Sequence, residues 1–198
     1  MKGFRSMLKL GCILALFASS SCVMLAFVYI GTEKIIAARQ QTDLEAALKE
    51  LFPGADDFKE AADIQSPDPL VTIESAYEAL KNGVPVGAAL RLSRASYGGP
   101  IKIMAGVSAG GTITGVKIME HSDTPGLGAN AASPSYFVDR ARRITFYGQF
   151  AGKKADDPFV VKDDVVAVTA STVTSNAVTA AVKAAALGVT AWLEGGTK

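Results

Sequence analysis

The sequence predicts an α+β fold tethered by one N-terminal transmembrane helix, and three observations carry that prediction. Residues 10–32 form an uncharged, apolar run. Two turn signals, Asn82-Gly83 and Gly110-Gly111, each stand between segments with strand character. A short β-branched strand around Val165 and Val166 leads through a hydroxyl-rich turn into a long alanine-rich segment with helical spacing. Strands gathered in the middle and helices kept to the ends point to an antiparallel sheet with flanking helices.

The chain has 198 residues, with 20 Lys and Arg against 19 Asp and Glu, for a net charge of +1. That length allows one ordinary domain plus an appendage. No basic block is dense enough to track a phosphate backbone, which argues against nucleic acid as a partner. The two cysteines, Cys12 and Cys22, both fall in the apolar run. Ten residues of helix separate them by about 15 Å, beyond disulfide reach. With a lone histidine, His121, the chain has no thiol or imidazole set from which to build a zinc site.

The uncharged run is about 23 residues long, enough to cross a bilayer once as a helix. Lys2, Arg5 and Lys9 precede it, and Glu33, Lys34 and Arg39 follow with a mixed balance. The positive-inside rule then puts the N-terminus in the cytoplasm and the rest of the chain outside. A cleaved signal peptide is the rival, with Ala18 and Ser19–21 as small-residue context. The apolar run, however, continues through residues 23–30. Cys22 lacks a lipoprotein signal, because Ser19 stands where a large aliphatic residue is expected.

Three regions result: residues 1–32 as cytoplasmic terminus and membrane helix, 33–69 as helical stalk and linker, and 70–198 as the extracytoplasmic domain. Ile35, Ile36, Leu44, Ala47, Leu48 and Leu51 give the stalk helix an apolar face that stops before Pro53-Gly54. Residues 56–69 read as a linker with solvated acids. In the domain, Asn82-Gly83 joins two strands, the second carrying Pro85, which an edge strand tolerates. Tyr97-Gly98-Gly99-Pro100 is a sharp loop, and a second hairpin turns at Gly110-Gly111. Ser133 and Pro134 suit the start of a short helix over residues 133–142. The aromatic run at residues 146–150 suits a place against the sheet, and the charged turns at 153–157 and 162–164 suit solvent. Val178, Val182, Ala185, Val189 and Trp192 mark the core face of the last helix, which Gly195-Gly196 would end.

Two loops carry the site expectation. Five hydroxyl residues, Thr169, Ser171, Thr172, Thr174 and Ser175, crowd the start of the last helix. Unpaired amides and the helix dipole favour an anion there, so a phosphate or phosphate-bearing cofactor near Thr172 is expected. Simple capping by Thr172 or Thr174 is the other reading, although a cap needs only one hydroxyl. The second loop is His121-Ser122-Asp123-Thr124-Pro125-Gly126-Leu127-Gly128, whose glycines let amides approach a ligand. It reads equally as a plain strand-to-helix turn.

One membrane helix, Tyr97-Gly-Gly-Pro, Gly111-Thr-Ile-Thr-Gly-Val, His121-x-x-Thr-Pro-Gly-Leu-Gly and the hydroxyl-rich turn occur in this order. In that order the chain resembles, over essentially its whole length, the G subunit of the Rnf electron-transport complex. It is also similar to the related C subunit of the Na⁺-translocating NADH:quinone reductase. The resemblance implies an FMN-binding domain, with FMN joined covalently through its phosphate to a threonine in an Asp-x-x-Ser/Thr-Gly-Ala-Thr motif. By position the acceptor is Thr172. Thr169, Ser171, Thr174 and Ser175 would hold the phosphate, and Thr124, Pro125, Gly126, Leu127 and Gly128 with Tyr97, Gly98 and Gly99 would border the ring. His121 would tune the flavin or bound its pocket. The motif departs from the family at Val166, Ala170 and Ser171, where aspartate, glycine and alanine are expected, and Asp164 is the nearest upstream carboxylate.

The resemblance further implies a redox subunit of a multisubunit ion-translocating ferredoxin:NAD oxidoreductase rather than a free-standing enzyme. Its partners would be the other Rnf subunits and a flavin transferase for maturation. Its location would be the inner, cytoplasmic membrane, with the FMN-binding domain on the periplasmic side. A flavin-free, tethered assembly subunit of the same complex is the alternative that the altered motif leaves. A ligand-binding domain with neither flavin nor redox partner is a third reading.

Overall fold

The computed structural model describes residues 2–195. The chain divides into two compact units, residues 1–45 and 46–198. The first is helical: α1 (Lys2–Leu51) begins there as one uninterrupted helix. Its stretch from Ser6 is long and apolar enough to cross a membrane, with none of its most apolar window buried within the protein.

The second unit is built on a five-stranded antiparallel sheet in sequential order. Its strands are β1 (Asp57–Glu60), β2 (Val71–Lys81), β3 (Val84–Ala95), β4 (Pro100–Ser108) and β5 (Ile113–Glu120). The β2–β3 turn has Asn82 at φ 51° and Gly83 at φ 77°, the pair of positive values that a two-residue hairpin matched to strand twist requires. α2 (Thr172–Gly195) lies across one face. Leu90, Leu92, Ile101, Ile103, Ala105 and Val107 meet Val178, Val182, Ala185 and Val189 in a single core, so α2, although apolar, is a core helix.

The opposite face is floored by glycines. A Cβ on Gly106 would lie 3.1 Å from both Leu51 and Phe52, one on Gly115 3.0 Å from Leu51, and one on Gly87 2.9 Å from Phe52. These positions form a notch into which the last turn of α1 and Phe52 insert, leaving both side chains buried.

Five expectations are corrected. Residues 57–60 form the edge strand β1 rather than linker, and the compact unit begins at Ala46 rather than near Leu70. Pro85 lies in an inner strand, but β3 pairs with β4 only from Gly87 onward, so its missing N–H costs no ladder bond there. No helix forms over 133–142. Instead β6 (Phe137–Asp139) pairs with β7 (Ile144–Thr145), because Tyr136 and Val138 pack on the core at the two-residue spacing of extended chain. The segment before the hydroxyl-rich turn makes only an isolated bridge, Val161 with Val165, rather than a strand. Elsewhere Phe146 and Phe150 are fully buried with rings edge to face at 5.6 Å. Trp192 packs at the margin of the core. Gly196 lies outside the described residues.

Candidate functional site

The two loops singled out in the sequence face one another across a cleft of about 530 Å³. Tyr97, Asp123, Thr124, Leu127, Gly128 and residues 170–174 line it. The volume falls within the usual range of small-molecule sites. Tyr97, Leu127 and Val173 present large, solvent-exposed apolar surfaces around it.

Local chemistry explains each wall. Leu127 N–H donates to Thr124 C=O at 3.1 Å, closing a turn with Pro125 and Gly126 at its centre. Gly126 has φ 78°, the value that the third position of a type II turn requires. Asn130 Nδ2 donates to Gly126 C=O at 2.9 Å and ties the turn down. Gly128 is needed for a different reason: a Cβ there would sit 2.7 Å from both Thr174 Oγ1 and Asp123 Cβ.

Asp123, to which the sequence pattern assigns no role beyond its place in the loop, organises the cleft. Its carboxylate is buried. Oδ1 accepts from Gly98 N–H at 2.7 Å, and Oδ2 accepts from both Ser96 Oγ and Thr174 Oγ1 at 2.8 Å. One side chain thus ties the Tyr97 loop, the Pro-Gly-Leu-Gly loop and α2 together. Burial opposes its ionisation, but the three donors and the nearby charge of His121 outweigh that and hold its pKa below the ordinary 3.8. Gly98 must lack a side chain, because a Cβ would meet Ser122 O at 2.2 Å. An acidic residue just before a Pro-Gly turn was the available signal, since such residues readily accept from neighbouring backbone.

The hydroxyl-rich turn sorts itself by hydrogen bonding. Thr174 is committed to Asp123, and Ser175 Oγ accepts from Val168 N–H and donates to Ser171 C=O, each at 2.9 Å. Thr169 Oγ1 accepts from Tyr136 Oη at 3.1 Å. Ser171 is buried. Thr172, at the first position of α2, is exposed on the cleft wall. Among the described residues its hydroxyl has no hydrogen-bond partner.

The three altered motif positions have distinct environments. Ala170 has φ 57°, the left-handed conformation in which a glycine is at ease, at a cost of roughly 1 kcal/mol. Ala170→Gly is therefore expected to leave thermal stability unchanged or raise it by up to about 1 kcal/mol, read as the unfolding midpoint. A clear fall would contradict the strain at this turn. Residue 166 is held through its backbone, its N–H donating to Gln149 Oε1 (2.8 Å) and its C=O accepting from Nε2 (3.0 Å). That pairing is indifferent to the Val166 side chain. Asp164 is occupied elsewhere: it pairs with Lys153 at 2.7 Å and accepts from Phe159 N–H at 3.1 Å. Burial resists its ionisation, yet Lys153 and the two backbone donors Val160 and Phe159 hold its pKa below the ordinary value. This pair is shielded rather than freely solvated, unlike the sequence expectation for these charged turns.

His121 is exposed and lines a separate shallow surface with Pro100, Lys102 and Glu120. Gly98, Gly99, Pro125, Gly126, Thr169 and Ser175 are not among the residues that line the cleft. Tyr136 and Gln149, both tied to the turn before α2, were missed in sequence. Their pairing with residues 169 and 166 spans 33 and 17 positions, and no local pattern encodes it.

The FMN-binding domain family matches residues 96–187, which include every cleft-lining residue. The RnfG N-terminal region family matches residues 1–51. The G subunit of the Na⁺-translocating ferredoxin:NAD⁺ oxidoreductase complex of Acetobacterium woodii is 33% identical over 192 residues, covering 88% of this chain and 87% of the relative. Its counterpart in the proton-translocating complex of Clostridium ljungdahlii is 32% identical over 180 residues, covering 88% and 87%. The G subunit of the ion-translocating oxidoreductase complex of Vibrio cholerae O1 is 31% identical over 187 residues, covering 89% and 87%. The crystal structure of Shewanella oneidensis NqrC aligns with a TM-score of 0.47 at 17% identity, covering 73% of each chain. From the apolar N-terminal helix to the cleft, the chain belongs to the G-subunit family of the Rnf ion-translocating oxidoreductases and contains its FMN-binding domain.

Proposed function

We propose that the chain carries FMN as a phosphoester of Thr172 and serves as an electron carrier within an ion-translocating ferredoxin:NAD⁺ oxidoreductase complex. One observation carries the choice of residue: of the five clustered hydroxyls, Thr172 alone is exposed on the cleft and free of hydrogen bonds among the described residues. The residues present fit a flavin nucleotide. The start of α2 supplies unpaired amides and a positive dipole end for a phosphate. Gly128 keeps the cleft wall open where a Cβ would collide. Tyr97, Leu127 and Val173 offer the apolar surface that a flat ring system buries.

FMN, when bound, supplies reversible electron transfer. The chain's own residues position and retain it. Asp123 holds the three walls in register, and a covalent link prevents loss of the cofactor to the surrounding solution. Attachment requires an activated donor, because a bare phosphate monoester does not esterify in water. A flavin transferase acting on a flavin–nucleotide diphosphate balances the step. The Thr172 Oγ1–P bond forms, the P–O–P anhydride breaks, the nucleoside monophosphate leaves, and the hydroxyl proton passes to a base on the transferase. The other members of the complex are the proposed electron partners. A mass increase of one FMN less one water on the Thr172-containing peptide from native membranes is the expected result. A complex that transfers electrons with no such adduct would support the flavin-free assembly role instead.

The positive residues before the apolar run support a cytoplasmic N-terminus and a periplasmic cleft-bearing unit. Cysteine is absent from residues 46–198, which permits a direct test. A Lys59→Cys protein is expected to react with a membrane-impermeant maleimide once the outer face of the inner membrane is accessible. Labelling only after the inner membrane is breached would reverse the topology.

A further inference from the structure

Within the hydroxyl-rich turn, the residue in the left-handed conformation is an alanine, and a tyrosine from a distant segment grips the residue before it. Tyr136 Oη donates to Thr169 Oγ1 at 3.1 Å and accepts from Thr169 N–H at 3.2 Å. Backbone and side chain of one residue are thereby held by a single hydroxyl. Thr169 directly precedes Ala170, whose φ is 57°, and Thr172 opens α2 two residues later. The dihedral at 170 therefore sets the direction in which the chain enters the helix and presents Thr172. Left alone, an alanine there favours negative φ.

The geometry points to Tyr136 as a positioning residue for the flavin-bearing turn, an inference that rests on Thr172 being the attachment site. Three side chains hold the approach to the turn: Gln149 at residue 166, Ser175 at residue 168 and Tyr136 at residue 169. Ser175 belongs to α2 itself, and Gln149 acts four residues before the strained position. Tyr136 is the brace nearest Ala170. Its ring packs against the core, so its hydroxyl is a fixed point rather than a mobile one. Along the chain it lies between the 124–128 loop and the β6–β7 hairpin, and its hydroxyl reaches across to the hydroxyl-rich turn. A glycine at position 170 would need no brace. The tyrosine hydroxyl supplies by hydrogen bonding the conformational bias that a glycine supplies by lacking a Cβ.

The test uses the full-length chain in detergent with the flavin transferase and a flavin–adenine dinucleotide donor, reading adduct formation by in-gel fluorescence. Tyr136→Phe is expected to slow initial loading by about tenfold, since two hydrogen bonds to the turn are lost, while the unfolding midpoint moves by no more than about 4 °C. Adding Ala170→Gly to Tyr136→Phe is expected to return loading to within about threefold of wild type, because the turn then forms unaided. Loading of Tyr136→Phe at the wild-type rate overturns the inference. So does a loss of loading that Ala170→Gly fails to rescue, or one that accompanies global unfolding. A wild-type chain whose flavin sits on a residue other than Thr172 overturns the attachment site itself, and the inference falls with it.

Discussion

Replacing Thr172 by alanine is expected to abolish covalent flavin while leaving the fold intact. The side chain is exposed and makes no hydrogen bond among the described residues, so the change in stability should stay within about 0.5 kcal/mol. The fluorescent band after denaturing electrophoresis should vanish, along with the mass increase on the Thr172 peptide. Thr172→Ser keeps the nucleophilic oxygen and should retain measurable loading. Ser171→Ala alters a buried neighbour and should leave the adduct on residue 172. These outcomes separate attachment from mere binding, because a noncovalent flavin would be absent from all of the denatured proteins alike. An adduct of the same mass in Thr172→Ala would end the assignment.

Asp123→Ala is expected to be among the most destabilising single substitutions in the cleft. It strands Gly98 N–H and the hydroxyls of Ser96 and Thr174, of which Thr174 is buried. Bonds to a charged group contribute about 1.5–3 kcal/mol each in favourable settings, but they are not additive. A loss of about 2–4 kcal/mol at neutral pH is the reasonable range. Asp123→Asn keeps the shape and removes the charge, so it should lose less. The pH dependence has a definite sign. Because the folded carboxyl titrates below 3.8, its stabilisation is fully present above that value and disappears as pH falls through the lower, folded value. The stability difference between wild type and Asp123→Asn should therefore be flat from neutral pH down to about pH 5 and shrink below about pH 4. Denaturant unfolding of the full-length chain across that range checks it. A difference that persists undiminished at the lowest pH would mean that the carboxylate charge plays no part in holding the cleft.

Much of the architecture was legible because it is written in local chemistry. The Asn82-Gly83 turn demands positive φ twice, and the two residues best able to supply it stand there. The apolar spacing of Val178, Val182, Ala185 and Val189 located the buried face of α2 directly. The extended hairpin at 137–145 was not legible. Ser133-Pro134 is a sound helix start, but core contacts by Tyr136 and Val138 outweigh that local preference. Edge strand β1 was equally hidden, since Asp57, Lys59 and Glu60 carry no hydrophobic alternation and are placed by pairing with β2 alone. At the cleft, the two loops that line it could be recognised from their glycines and hydroxyls. Which hydroxyl was free could not, because that depends on which partners the fold brings to each.

By itself the sequence determined the membrane-length helix, the meander of strands, the apolar face of α2, and the glycine loop and hydroxyl-rich turn as separate local features. Each follows from residues within about a dozen positions of one another, where periodicity, turn propensity and charge act directly. Only the tertiary structure decided what depends on distant groups meeting. The glycine-floored notch for Leu51 and Phe52 is one case, the Asp123 link between three walls another, and the Tyr136 grip on Thr169 a third. Directed hydrogen bonds and close packing operate over a few ångströms of space regardless of separation along the chain. That is why the position of Thr172 could be read from its neighbours, whereas its freedom from hydrogen bonds, and the brace on the turn that presents it, could not.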